Sequence, residues 1–265
     1  MNAKLTLEQL TIDRLDLKPT VAVVVGSGIR LPFTVIAELP YASVPIMPVP
    51  RTEGHQGLLQ VVRIGTLPVL VFCGRPHGYE GYSPEELCRP HEMAQEMGIT
   101  HLLLTNAVGS LQPALTTGTI VQANDIICQV PWARYHGNTQ PRQTTCLDTN
   151  WQQATIEMCL KQSIDIRSGV YVQTTGPQYE TRAEIAMFRK MGADIIGMSS
   201  GFEAIEAARL GMHVQILSLV TNVLTTTNTP ILTHDHVLAT AASSADAMST
   251  AIQSAIFAVC NMHYH

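Results

Sequence analysis

Charge is scarce in this chain. Asp, Glu, Lys and Arg make up 14% of its 265 residues, aromatic residues only 5%, and the net charge is -5. Binding to a nucleic-acid backbone needs a basic stripe, and the 16 Lys and Arg form none, so no nucleic-acid partner is expected. The six cysteines include no C-x-x-C pair. This argues against a zinc site or a disulfide framework and for reduced, mostly buried thiols. No apolar run reaches membrane-spanning length, and charges interrupt the first ten residues where a signal peptide would be apolar. A cytoplasmic protein with no membrane association is expected. No repeat, low-complexity tract or Gly/Ser linker divides the chain, so residues 1–265 read as one domain.

Three catalytic motifs are missing as well. Gly26-Ser27-Gly28 opens like a dinucleotide fingerprint, but position 31 is Leu and no acidic residue follows at the next strand end. No Gly-x-Ser-x-Gly nucleophile elbow is present. His234-x-His236 and His263-x-His265 lack a third ligand nearby, so no metal is expected.

What remains is a chain 46% hydrophobic, able to bury a large core, in which strand and helix signals alternate. So little charge leaves some surface to be covered by an oligomer. Thr20 to Val25 reads as a buried strand opening into Gly26-Ser27-Gly28. Leu58 to Ile64 and Leu67 to Cys73 flank Gly65-Thr66 as a hairpin. Ser83-Pro84-Glu85-Glu86 supplies an N-cap, a proline at N1 and a glutamate at N3 for a helix to about Gly98. A strand from His101 to Thr105 delivers Asn106-Ala107-Val108-Gly109 to its carboxyl end.

The second half repeats this grammar. A strand from Val170 to Thr174 leads to the loop 176–180, and Thr181 and Glu184 form a capping box for a helix through Lys190. A short strand at 194–196, a turn at 197–201 and a helix from Phe202 to Leu210 follow. Val214 to Val220 is a strand ending in Thr221-Asn222, and Thr233 caps a last helix running from His234 toward Cys260. The fold class is α/β, a central mixed β-sheet flanked by helices. The polar clusters sit after strands, where ligands bind in such sheets.

The densest cluster is Arg75-Pro-His77-Gly-Tyr79-Glu80-Gly-Tyr82. If the backbone stays extended, period two sends residues 75, 77 and 79 to one side. A guanidinium, an imidazole and a phenol would then meet one small anion such as a phosphate or sugar phosphate.

Together these segments resemble a known family. Gly26-Ser27-Gly28, Gly54-His55-x-Gly57, Gly74-Arg75-x-His77-x-Tyr79-Glu80-Gly81-Tyr82, Thr105-Asn106-Ala107, Gly176-Pro177-x-Tyr179-Glu180-Thr181, Gly197-Met198-Ser199 and Thr221-Asn222 have the order and spacing of the trimeric purine nucleoside phosphorylases. The resemblance covers about residues 20 to 240 and implies a phosphorylase/hydrolase-like α/β fold. It also implies a homotrimer, no organic cofactor, and inorganic phosphate as co-substrate. By that resemblance Ser27, His55, Arg75, His77, Ala107 and Ser199 hold phosphate. Tyr79, Met198 and His234 contact the ribose. Tyr179 stacks on the base, Glu180 accepts hydrogen bonds from purine N1–H and a 2-amino group, and Asn222, beside Thr221, faces N7 and O6. Asn222, His77 and Glu180 carry the chemistry.

The implied reaction is phosphorolysis of inosine or guanosine to a free base and ribose 1-phosphate. A buried carboxylate is costly unless paired, and a 6-oxopurine brings the N–H donors that compensate it, whereas adenine has no proton at N1. Superfamily members acting on 6-aminopurines tend to carry Asp where Asn222 stands. Alternatives are 5′-methylthioadenosine phosphorolysis, hydrolysis, or a non-catalytic nucleoside-binding protein. Three departures from the family stand out. Arg30 occupies a usual glycine, and residues 129–150 are short, with Trp132 or Tyr135 as the only aromatics there to cover a neighbour's ribose. Ser200-Gly201-Phe202-Glu203 replaces the usual Thr-Val-Pro-Glu.

Overall fold

The structure is a computed structural model that describes residues 17–26, 29, 31–130, 146–225, 239–240 and 242–262. In chain order its strands are β1 (Val21–Val25), β2 (Thr34–Pro40), β3 (Leu58–Ile64), β4 (Leu67–Cys73), β5 (His101–Ser110), β6 (Ile120–Cys128), β7 (Ile166–Gln173), β8 (Ile195–Gly197) and β9 (His213–Val223). The α-helices are α1 (Pro84–Glu96), α2 (Thr149–Lys161), α3 (Arg182–Lys190), α4 (Ser200–Arg209) and α5 (Ala245–Met262).

All nine strands join one mixed sheet in the order β2-β3-β4-β1-β5-β8-β7-β6-β9, and a further β5–β9 pairing closes its second half into a ring. β1 is buried along its whole length between β4 and β5, parallel to both. An unbroken apolar run suits a strand covered on both faces. Period two divides the central strands between two cores. Ala22, Val24, Leu70, Phe72, Leu102 and Leu104 face one core, which Met93 and Ala94 of α1 and Ala204 and Ala207 of α4 also enter. Val21, Val23, Val69, Val71 and Leu103 face the other, under α2 and α5. There the indole N–H of the fully buried Trp151 donates to the Ala255 carbonyl at 2.8 Å, fixing α2 to α5. The hairpin at Gly65-Thr66 and both capping boxes, Ser83/Glu86 and Thr181/Glu184, form where the sequence indicates.

Several boundaries differ from the sequence reading. β5 runs on through Asn106-Ala107-Val108-Gly109, and β9 runs on through Thr221-Asn222, because their parallel ladder continues to Ser110↔Val223. These polar residues therefore lie in strands, not after them. β2, β6 and α2 are additional elements. α4 begins at Ser200, two residues early, with Ser199 at its N-cap. Only Cys88 and Cys159 of the six thiols are buried. Ser27, Arg30, Trp132, Tyr135, Thr233, His234 and His236 lie outside the described residues. Among the described residues no helix is long and apolar enough to cross a membrane.

One consequence of the pairing positions the site. The ladder of β1 on β5 stops at Val24↔Leu104, and that of β8 on β5 starts only at Gly109↔Ile196. Between them, among the described residues, no strand lies beside residues 105–108; the Thr105 carbonyl accepts from Arg75 and the Val108 carbonyl from the Thr221 hydroxyl, which leaves the edge at Asn106 and Ala107 for a ligand.

Candidate active site

A cavity of about 360 Å³ opens at that gap, a size suited to a small ligand. Every described residue given a binding or catalytic role from the sequence lines it, Ser27 and His234 lying outside the described residues. His55, Arg75, His77, Tyr79, Ala107, Tyr179, Glu180, Met198, Ser199, Thr221 and Asn222 come from six separate segments of the chain.

One end is built from cations and hydroxyls. Gly74 after β4 takes a φ of +101°, a conformation an L side chain rarely adopts, and its carbonyl accepts from the buried Tyr41 hydroxyl at 2.9 Å. The turn sends Arg75 inward, where it is only 2% exposed. Its guanidinium donates to Ser199 Oγ at 3.0 Å, to Ser200 Oγ at 2.6 Å and to the Thr105 carbonyl, and pairs with Glu203 at 2.9 Å. The extended alternation from Arg75 to Tyr79 is broken, because residues 78–80 form a 3-10 turn. Tyr79 consequently stacks on the His77 ring at 4.8 Å, and its phenol meets Thr52 Oγ1 at 3.3 Å instead of sharing an anion with Arg75. His55 is tied to the same turn, its Nδ1 accepting the Arg75 backbone N–H at 3.2 Å.

Ser199 sits at the N-cap of α4 but its hydroxyl caps no backbone N–H. It accepts from Arg75, so its own hydrogen remains to be donated elsewhere. Glu80 was not singled out, yet it organises this end. Its carboxylate accepts from the Arg51 N–H at 2.6 Å, Thr52 Oγ1 at 2.9 Å and the His77 N–H at 3.0 Å, and meets His77 Nδ1 at 3.1 Å. Burial pushes this carboxyl up, but the hydrogen bonds, that of the His77 ring foremost, outweigh it and hold the group at about 2. An ionised carboxylate only accepts, so Nδ1 of His77 carries the proton. The i,i+3 spacing of His77 and Glu80 was a visible signal for this pair. Thr52, Asn106, Ser200 and Glu203 carried none, because their partners lie far away in the sequence.

The other end is suited to a flat polar ring. Glu180 is half-buried and accepts from Thr174 Oγ1 at 3.2 Å. Burial pushes its carboxyl above the usual range, against the opposing pull of its own backbone N–H and Thr174. The Thr221 hydroxyl lies 3.2 Å from the Val108 carbonyl and 3.1 Å from Asn222 Oδ1. Asn222 therefore keeps an Oδ1 lone pair and its amide hydrogens for a ligand. Tyr179 is 46% exposed at the cavity's edge. Met198 and Tyr79 close on Gly176, whose φ is +65°, and an added Cβ there would lie 2.5 Å from Met198 Sδ. Only glycine lets the loop before Glu180 pass so near them.

Comparison with known proteins agrees with this geometry. Residues 20–256 match the phosphorylase superfamily. The purine nucleoside phosphorylase of Mycobacterium leprae is 35% identical over 234 residues, 87% of this chain and 86% of that protein. A Schistosoma mansoni purine nucleoside phosphorylase in complex with adenosine has a TM-score of 0.83 at 30% identity, covering 96% of each chain. A structure from the same organism in complex with inosine also gives 0.83, at 27% identity over 96% of this chain and 94% of that one. The chain therefore belongs to the purine nucleoside phosphorylases, an enzyme family within the phosphorylase superfamily.

Proposed function

We propose that this enzyme cleaves the N-glycosidic bond of 6-oxopurine nucleosides with inorganic phosphate, releasing the base and ribose 1-phosphate. The observation that carries this is a single cavity with two chemistries. Hydroxyl, imidazole and guanidinium groups share its lining with a desolvated carboxylate and an amide. Phosphate would lie between His77, Ser199 and the unpaired edge at Ala107, with Ser27 as a further hydroxyl donor. Arg75 acts mainly by orienting the Ser199 hydroxyl and by its charge. Tyr79, Met198 and His234 would hold the ribose.

As the C1′–N9 bond stretches, its electron pair moves onto the purine and positive charge grows on the ribose, which the phosphate below stabilises. Asn222 hydrogen-bonds N7 and O6 as negative charge or a proton collects there. Phosphate oxygen then bonds to C1′. Glu180 accepts from N1–H, a donor that inosine and guanosine have and adenosine lacks.

Base release from inosine, guanosine, adenosine and 5′-methylthioadenosine, each with and without phosphate, tests the assignment. Phosphate-dependent release from inosine and guanosine is expected. Adenine release from methylthioadenosine with inosine untouched would replace the substrate class, and release without phosphate would make the enzyme a hydrolase.

Glu80 gives a second expectation. Glu80→Gln removes the charged acceptor that holds His77 and the Arg51-Thr52 loop, so KM for phosphate should rise about tenfold, the scale of one charge-assisted hydrogen bond. An unchanged phosphate KM would remove His77 from the anion site. We also propose a homotrimer, supported by the low charge of the chain and by the exposed Tyr179, Met187 and Met191 on and beside α3. Light scattering at micromolar concentration should give three times the monomer mass, and a monomer mass would refute it.

A further inference from the structure

We infer that Arg189 is a positioning residue for purine recognition, setting Glu180 and Asn222 at their working separation. The inference rests on the base-binding roles proposed above and extends them to a residue outside the cavity. Arg189 lies in the last turn of α3, where a cation ordinarily does no more than balance the helix dipole. Its hydrogen bonds go elsewhere. Nε donates to the Leu111 carbonyl at 2.6 Å and NH2 to the Leu224 carbonyl at 2.7 Å.

Those two carbonyls are special in the sheet. The β5–β9 ladder ends at Ser110↔Val223, so Leu111 and Leu224 are the first residues beyond it on each strand. The Leu224 N–H still donates to the Ser110 carbonyl there at 2.8 Å, and the forked guanidinium adds a second tie that spans both chain ends. Leu224 lines the cavity two residues after Asn222. The other end of α3 starts at Thr181, the cap that directly follows Glu180. A nine-residue helix is a rod roughly 13 Å long. The carboxylate thus stands just before its N-terminal cap, and its last turn grips the chain just beyond the strand that carries the amide. Ile185 and Phe188 pack the same helix onto Leu111, Ile196 and Leu224. The bidentate clamp fixes it.

The test compares the intact enzyme with Arg189→Met and Arg189→Lys. Calorimetry reads affinity for hypoxanthine, kinetics read KM for inosine and for phosphate, and thermal melting reads stability. For Arg189→Met, hypoxanthine affinity should fall about tenfold or more, the scale of losing hydrogen bonds from a charged donor, with KM for inosine rising alike. KM for phosphate should stay within about twofold, because His77 and Ser199 stand on other elements. Lysine keeps the charge but cannot fork across both carbonyls, so Arg189→Lys should recover only part of the affinity. A lower melting temperature with unchanged hypoxanthine affinity would make Arg189 a structural clamp and overturn the inference. Equal losses for hypoxanthine and phosphate would overturn it too. If the unaltered enzyme binds no hypoxanthine, the base-site assignment falls first and the role of Arg189 falls with it.

Discussion

Asn222→Ala should lower kcat for inosine by about 10²- to 10³-fold, the range found when one preorganised hydrogen-bonding group facing developing charge is removed. The amide is poised for this. The Thr221 hydroxyl, 3.1 Å from Oδ1, biases which way the amide faces, and the parallel ladder on β5 fixes the backbone beneath it. Interaction with N7 strengthens only as the glycosidic bond breaks, so the loss belongs in kcat more than in KM. The proposed phosphate site draws on groups of other segments, so KM for phosphate should change by no more than about twofold. Single-turnover and steady-state kinetics on the same preparation decide this. Equal losses in the chemical step and in phosphate affinity would contradict the role given to Asn222.

The second large effect concerns Glu180. Glu180→Ala should cost about 10- to 100-fold in kcat/KM for guanosine, because N1–H and the 2-amino group both lose a charged acceptor. Unchanged guanosine kinetics would remove the contact. The pH dependence has a definite sign. Burial favours the neutral acid, so the Glu180 carboxyl takes up its proton at higher pH than an exposed glutamate. A protonated carboxyl no longer offers two accepting oxygens. Inosine kcat/KM should therefore decline on acidification through a window above the usual carboxylate range, and this acid limb should be missing in Glu180→Gln. Stability runs the other way. The folded enzyme holds this proton more tightly than the unfolded chain, so the group's contribution to stability is lost as pH rises through the same window. Glu180→Gln should accordingly melt higher than the unaltered enzyme at neutral pH. A lower melting temperature would show that the carboxylate is compensated without substrate.

The legibility of this molecule in its sequence was uneven, for physical reasons. β1, the β3–β4 hairpin, α1 and α3 announce themselves through apolar runs, a Gly-Thr turn and two capping boxes. β2 is an edge strand with a largely exposed side, and its Thr-Val-Ile-Ala-Glu-Leu-Pro run shows no clean alternation. α2 buries only Trp151, Gln152, Thr155 and Cys159, so two of its four buried residues are polar and its periodicity is faint. β6 holds Asn124 and Asp125 across a register shift against β7, which breaks a period of two.

For the site, the motifs named the cavity-lining residues but not how they are held. Arg75 lines the cavity, and its guanidinium is held there among Ser199, Ser200, Thr105 and Glu203, none of which its motif indicates. Those contacts span up to 128 positions of sequence, and the closure of β5, β8 and β9 around the gap at residues 105–108 brings them together. Glu80 was legible in principle through its spacing from His77. Arg189 was not, because its acceptors are main-chain carbonyls of two other segments.

The central claim is that phosphate, and not water, takes the sugar. Phosphorus NMR of a reaction containing inosine and inorganic phosphate tests it most directly, with hypoxanthine followed in the same tube. One ribose 1-phosphate should appear for each hypoxanthine released, and base release should cease when phosphate is withheld. Hypoxanthine accumulating with free ribose and an unchanged phosphate signal would contradict the account.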